Sequence, residues 1–70
     1  MTATETSARP RLIRLEVVKA RTCLSRSTIY AYMREGRFPA PVAITERCVA
    51  WIEAEIDAWI ADRIAAARRS

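Results

Sequence analysis

The chain has 70 residues, enough for one small domain and too few to bury a deep active-site cleft. It is 51% hydrophobic and 29% charged, which is typical of a folded globular chain and excludes a wholly disordered one. No apolar run approaches the roughly 18 residues that span a membrane, and the first ten residues do not resemble a secretory signal, so we expect a cytoplasmic location.

Positive charge is concentrated before Trp51. That portion holds nine Lys or Arg against four Glu, whereas the portion from Trp51 onward holds three Arg against four acidic residues. An uneven distribution of this kind favours a polyanionic partner for the N-terminal portion and a different role for the last segment.

The chain lacks the residues for common catalytic or metal sites. It has no histidine, and its two cysteines, Cys23 and Cys48, are far apart, so neither a zinc finger nor a Cys-His nucleophile can be assembled. There is also no close carboxylate pair and no phosphate-binding glycine loop. We therefore expect no enzyme activity, metal or cofactor. The cysteines are expected to be small buried hydrophobic residues, with a single disulfide left open.

The chain begins with a polar segment, residues 1–10, that ends in Pro10 and is predicted to be a flexible arm. The folded domain is predicted to span residues 11–70. It should start with an extended entry at Leu12, followed by a short helix from near Glu16 to Thr22. Leu24 then supplies a core residue.

The next helix has clearly marked ends within "LSRSTIYAYMREGRFPAP". Ser25 suits the N-cap position, because its hydroxyl can accept a hydrogen bond from a backbone N–H of the first turn. Gly36, the only glycine, can adopt the left-handed conformation that closes a helix, and Pro39 prevents its continuation.

The two faces of this helix differ in chemistry. At 100° per residue, Ile29, Tyr32 and Met33 share one side and are expected in the core. The opposite side is small, polar, cationic or phenolic, which suits contact with a polar partner: Ser27, Tyr30, Ala31 and Arg34.

The prolines of "FPAP" predict an extended path into a short hairpin, with one strand at Val42 and Ile44, a turn at "TER" and a second strand at "CVAW". The final segment has the apolar stripe of an amphipathic helix, and we assign it and Trp51 to the core or to a partner interface. The stripe consists of Ile52, Ile56, Trp59, Ile60 and Ile64.

Two short helices, a hairpin and a covering helix predict a mainly α domain with a small β-hairpin, a winged helix-turn-helix. In such a fold the second helix enters the DNA major groove and the hairpin, or wing, contacts the backbone or minor groove. The predicted recognition-helix contacts are Arg26, Ser27, Thr28, Tyr30 and Arg34, and those of the flank and wing are Arg37 and Arg47.

The motifs "LSRSTIY", "GRFPAPV" and "EIDAWIADR" resemble the AlpA family of short prophage and mobile-element regulators, which is related to excisionases and to the DNA-binding part of MerR-type proteins. The resemblance runs from Arg11 to about Arg63. It implies a winged helix-turn-helix that binds DNA near an integrase gene or attachment site. The sequence departs from the family pattern at "ITERCVAW", where glycine is common near the turn.

Three functions follow as hypotheses. The first is a sequence-specific DNA-binding regulator of a prophage or integrative element that activates integrase transcription and resides at the bacterial nucleoid. The second is an excisionase-like factor that bends DNA at attachment sites. The third is a helical protein interaction module that docks through its last helix. The expected partner is double-stranded DNA, and a second copy of the chain on adjacent sites, RNA polymerase and integrase are further candidates. No membrane and no small-molecule substrate are expected.

Overall fold

The computed structural model describes residues 10–69. Apart from Pro10, the predicted N-terminal arm lies outside the described residues. The elements are two short helices, a small antiparallel sheet and one long helix, in the chain order β1 (Leu12–Ile13), α1 (Leu15–Thr22), α2 (Arg26–Arg34), β2 (Val42–Ala43), β3 (Val49–Ile52) and α3 (Glu53–Arg69). This architecture confirms the winged helix-turn-helix prediction.

The predicted hairpin is present, and it is part of a larger sheet than expected. Strands β2 and β3 pair antiparallel, with Val42 opposite Ala50. The extended entry, β1, pairs with the other edge of β3 and places Ile13 opposite Trp51, which gives the strand order β1-β3-β2. We call residues 42–52 the wing. Its turn forms without glycine, because the N–H groups of Ile44 and Thr45 both donate to the Cys48 carbonyl.

Helix α2 begins and ends where the sequence predicted. The Thr28 N–H donates to Ser25 Oγ at 3.2 Å, which confirms the N-cap. At the other end Gly36 has φ +72°, its N–H donates to the Met33 carbonyl, and the next N–H, from Arg37, donates to the Tyr32 carbonyl at 2.8 Å. This pair of bonds is a Schellman motif, which satisfies carbonyls that the helix end leaves unpaired.

The core lies between the sheet and the three helices. Trp51, Ile29, Val18 and Ile56 are completely buried. The remaining buried members of the cluster are Ile13 and Phe38, and half-buried residues that pack against it are Leu15, Leu24, Tyr32, Met33, Trp59 and Ile60. The core side predicted for α2 and the core positions of Leu24 and Trp51 are therefore confirmed.

Two tryptophans anchor the segment that joins α2 to the wing. The indole N–H of Trp59 donates to the Arg37 carbonyl at 2.8 Å, and that of Trp51 donates to the Pro39 carbonyl at 3.0 Å. The Trp59 ring also meets Phe38 edge-on at 4.8 Å between centroids. These contacts fix the wing relative to the end of α2.

The predicted burial of both cysteines is wrong. Cys23 is exposed because it forms the C-cap of α1 with φ 62°, a left-handed turn that points its side chain away from the core. Cys48 is half-buried next to the wing turn, and both thiols are free.

The apolar stripe of the last segment is divided between two elements. Ile52 lies on β3, and the helix starts one residue later, at Glu53. Ile64, further along the helix, is 47% exposed because α3 extends past the core. None of the helices described for residues 10–69 has the length and apolarity to cross a membrane.

Within residues 10–69, two residues have positive φ, and substitutions at them are expected to change stability in opposite directions. Gly36→Ala should lower the free energy of unfolding by about 1 kcal/mol, because a Cβ there meets no atom within 4 Å and the cost is purely conformational. Cys23→Gly should raise it by up to about 1 kcal/mol for the converse reason. Thermal unfolding followed by circular dichroism measures the stability of both variants. A midpoint for Gly36→Ala at or above that of the wild type would contradict the left-handed conformation of Gly36.

Candidate nucleic-acid interface

The outer side of α2 carries the residues predicted to read DNA. Ser27 and Arg34 are both exposed, and the half-buried Ala31 lies between them on the same side of the helix. Arg34 is in the last turn of α2 and forms no ion pair with any residue in the 10–69 range. This side therefore offers a small hydroxyl and a free guanidinium to a partner.

Arg26 and Tyr30 lie toward the wing. The guanidinium carbon of Arg26 is 5.5 Å from the centroid of the Tyr30 ring, a cation–π contact that restrains both side chains. Tyr30 is half-buried, so its phenol is held at the edge of the core.

Arg47 is exposed in the wing turn. Its own N–H donates to Thr45 Oγ1 at 3.3 Å, which stabilises the turn and holds Arg47 at the tip.

A cleft of about 360 Å³ brings the wing, α2 and the start of α1 together. We call it the basic cleft. Three arginines, one tyrosine and one glutamate provide its polar wall, and apolar side chains provide the rest. The lining residues are Arg14, Leu15, Glu16, Arg26, Tyr30, Arg47, Val49 and Trp51. Three residues predicted separately from the sequence, Arg26, Tyr30 and Arg47, thus share one cleft.

Arg14 was missed by the sequence reasoning. It occupies the N-cap position of α1 and makes no side-chain capping hydrogen bond, so its side chain is not needed to start the helix. Strand β1 brings it to the wing, because Ile13, the residue before Arg14, pairs with Trp51. The only feature of the sequence that could have suggested a role for Arg14 is that it is a basic residue just before the start of a helix.

Two predicted contact residues are engaged within the molecule. The hydroxyl of Thr28 accepts from Ser25 Oγ at 3.0 Å, as part of the cap. Arg37 Nη1 lies 3.1 Å from Glu35 Oε1, and its guanidinium stacks 4.9 Å from the centre of the Tyr32 ring. Arg37 lies near α3, in a separate groove with Trp59 and Asp62, and does not line the basic cleft.

The distribution of ion pairs separates two sides of the domain. Arg21 binds Glu53 at 2.8 Å and Asp57 at 2.7 Å, which ties α1 to α3, and Arg11 lies 3.9 Å from Glu53. By contrast, the described residues supply no acidic partner within 4.0 Å for four arginines near α2 and the wing: Arg14, Arg26, Arg34 and Arg47. The same is true of Arg63, Arg68 and Arg69 on α3. Uncompensated charge within residues 10–69 is therefore found around α2 and the wing and also toward the end of α3.

Comparison with known proteins gives one family. The family model described as prophage CP4-57 regulatory protein (AlpA) matches residues 11–64, from just before β1 into the last two turns of α3. The chain is 44% identical over 59 residues to the uncharacterized protein ORF88 of enterobacteria phage P4, covering 84% of this chain and 67% of that protein. It is also 36% identical over 59 residues to the DNA-binding transcriptional activator AlpA of Escherichia coli strain K12, covering 76% of this chain and 84% of that protein.

Proposed function

Because the chain belongs to the AlpA family of prophage regulatory proteins, we propose that it binds double-stranded DNA sequence-specifically and regulates transcription of a prophage or integrative element. The E. coli relative is named a DNA-binding transcriptional activator, and the other relative is a phage protein. In this proposal the protein acts at the bacterial nucleoid and has no catalytic step of its own.

One observation carries the proposal: four arginines that lack acidic partners among residues 10–69, Arg14, Arg26, Arg34 and Arg47, lie around α2 and the wing. On the other side of the domain Arg21 is neutralised by two carboxylates. Free guanidinium groups on one surface attract the phosphate backbone and increase the rate of association. Arg63, Arg68 and Arg69 also lack acidic partners among residues 10–69. Arg63 lies over the Trp59 ring, and Arg68 and Arg69 complement the negative end of the α3 dipole.

The positions of the residues support a division of the proposed contacts into base contacts and backbone contacts. A B-DNA major groove is about 12 Å wide and accepts an α-helix, so the outer side of α2 can approach base edges. Ser27 and Arg34 point that way and are assigned to base edges. Arg26, Tyr30 and Arg47 line the basic cleft and are assigned to the sugar-phosphate backbone. We assign Thr28 to capping, and Arg37 to its ion pair with Glu35 and its stacking on Tyr32, rather than to direct DNA contact.

The proposed target is DNA next to an integrase gene, where binding would activate transcription. An electrophoretic mobility-shift experiment tests this proposal. The protein is mixed with DNA that flanks its own gene and the nearest integrase gene, and unrelated DNA is added as competitor. We expect a shift that resists the competitor and weakens when salt rises, because phosphate contacts release counterions. A single complex fits a simple activator, whereas a ladder of cooperative complexes fits an excisionase that covers adjacent sites. Binding that unrelated DNA abolishes equally well would contradict sequence-specific regulation.

A further inference from the structure

The basic cleft has a charge composition that calls for an anionic ligand. Three arginines, Arg14, Arg26 and Arg47, line it, and Glu16 is the only acidic residue among the described residues in its wall. The Glu16 side chain is 83% exposed and lies 3.7 Å from Lys19 Nζ, so it is directed toward its own helix rather than paired with a cleft arginine. Like charges gathered in one cleft repel each other until an anion enters.

The cleft is also preorganised before any ligand binds. The Arg26 guanidinium is stacked on Tyr30, and the wing tip that carries Arg47 is held by the Arg47 N–H bond to Thr45. The back wall is Trp51, which is completely buried and bonded to the Pro39 carbonyl. Side chains that are restrained before binding lose less conformational entropy when a ligand arrives.

Resting on the proposed function, we infer that the basic cleft binds one phosphate group of the DNA backbone and that Arg14 is a direct ligand of it. Arginine donors from three separate elements, α1, α2 and the wing, converge on this phosphate. Guanidinium groups suit such a site because they form charge-assisted, often bidentate, hydrogen bonds to phosphate oxygens. The Tyr30 hydroxyl provides a further donor.

A phosphate bound in the cleft would also orient the domain on the DNA. A phosphate held by all three elements would fix the angle at which α2 enters the major groove, since the wing and the start of α1 are joined through β3 and β1. Phosphate contacts set the register of a protein on the duplex, whereas base contacts set its sequence preference. Loss of this contact should therefore weaken binding to all sequences by a similar factor.

A substitution at Glu16 is expected to change DNA affinity in the opposite direction. Glu16 belongs to the cleft wall, and the negative charge of its carboxylate, although it lies beside Lys19, would repel a bound phosphate. Glu16→Gln removes this charge and nearly preserves the shape of the side chain. We expect it to increase affinity for DNA of any sequence about two- to fivefold.

The test compares Arg14→Gln, Glu16→Gln and the matched control Arg68→Gln by fluorescence anisotropy, on a target duplex and on a random duplex at several salt concentrations. Arg68 is an exposed arginine outside the cleft. We expect Arg14→Gln to lower affinity for both duplexes about five- to tenfold near 0.1 M salt and to reduce the slope of log K against log salt by about 0.9. Arg68→Gln should change neither. Unchanged thermal midpoints show that the variants are folded.

A second arm titrates wild type and Arg14→Gln with inorganic phosphate and follows the side-chain Nε–Hε signals of the arginines by NMR. If wild type binds the duplexes and Arg14→Gln binds them equally well with the same salt slope, the inference is wrong and the proposed function stands. Phosphate binding that depends on Arg14 without any DNA binding would identify a site for a free anion, which contradicts both the inference and the proposed function. If Arg68→Gln lowers affinity and the salt slope as much as Arg14→Gln does, the effect reflects net charge only, and the cleft assignment fails.

Discussion

Replacing Trp51 with alanine is expected to leave the domain unfolded at room temperature. Its side chain is completely buried at the centre of the core, and removing a buried tryptophan costs about 3–5 kcal/mol. The hydrogen bond from its indole N–H to the Pro39 carbonyl is lost as well. A domain of this size is stabilised by only roughly 3–9 kcal/mol in total, so the two losses together are comparable to the whole stability of the domain. Circular dichroism should show no cooperative melting transition.

Trp51→Phe separates packing from hydrogen bonding. Phenylalanine keeps most of the apolar contact but cannot donate to Pro39, so we expect a folded protein that is less stable by about 1–2 kcal/mol. Because the hydrogen bond from Trp51 to Pro39 holds the segment before the wing, its loss in Trp51→Phe should also lower the affinity for DNA. If Trp51→Ala melted cooperatively near the wild-type midpoint, the core described for this chain would be wrong.

Replacing Arg34 with alanine is expected to weaken binding to the target DNA about 10- to 100-fold while leaving the fold intact. The Arg34 side chain is exposed and forms no ion pair within the described part of the chain, so its removal costs little stability. A good arginine contact to a base is worth about 1–3 kcal/mol, which corresponds to this loss. Anisotropy titrations on target and random duplexes measure it, and the random duplex should lose much less.

Arg34→Lys distinguishes a base contact from a phosphate contact. Lysine keeps the positive charge but cannot form the planar two-donor contact that arginine makes with guanine. We expect Arg34→Lys to lose most of the discrimination between target and random DNA, whereas Arg68→Ala, with the same change in charge as Arg34→Ala, should retain it. Full discrimination by Arg34→Lys would assign Arg34 to the backbone and leave base reading to other residues.

Local chemistry was enough to predict α2. The Ser25 hydroxyl and Gly36 cap the helix through contacts with residues at most one helical turn away. The two ends of α2 could therefore be predicted from the sequence without knowledge of the rest of the fold. The same is true of the core side of α2 around Ile29, since helical periodicity alone places it. The hairpin was predicted for a similar reason, from the alternation on either side of its turn.

Features that depend on contacts between distant segments were not predicted. Strand β1 is two residues long and exists because it pairs with β3 some forty positions later, and no local pattern reveals such a pairing. Arg14 depends on that register, so its place in the basic cleft could not be found either. Cys23 was misjudged because its residue type favours burial, whereas the left-handed end of α1 turns it outward.

The most direct test of the central claim is an NMR titration of the ¹⁵N-labelled protein with a target duplex, which maps the bound surface residue by residue. We expect the largest shifts and broadening in α2 from Ser27 to Arg34, at Arg47 in the wing and at Arg14 before α1. The exposed end of α3 around Ile64 should remain nearly unchanged. If the largest changes caused by DNA instead occurred around Ile64, α2 would not be the DNA-binding element and the central claim would be wrong. If DNA produced no changes while a protein partner shifted that end of α3, the domain would be an interaction module and not a DNA-binding regulator.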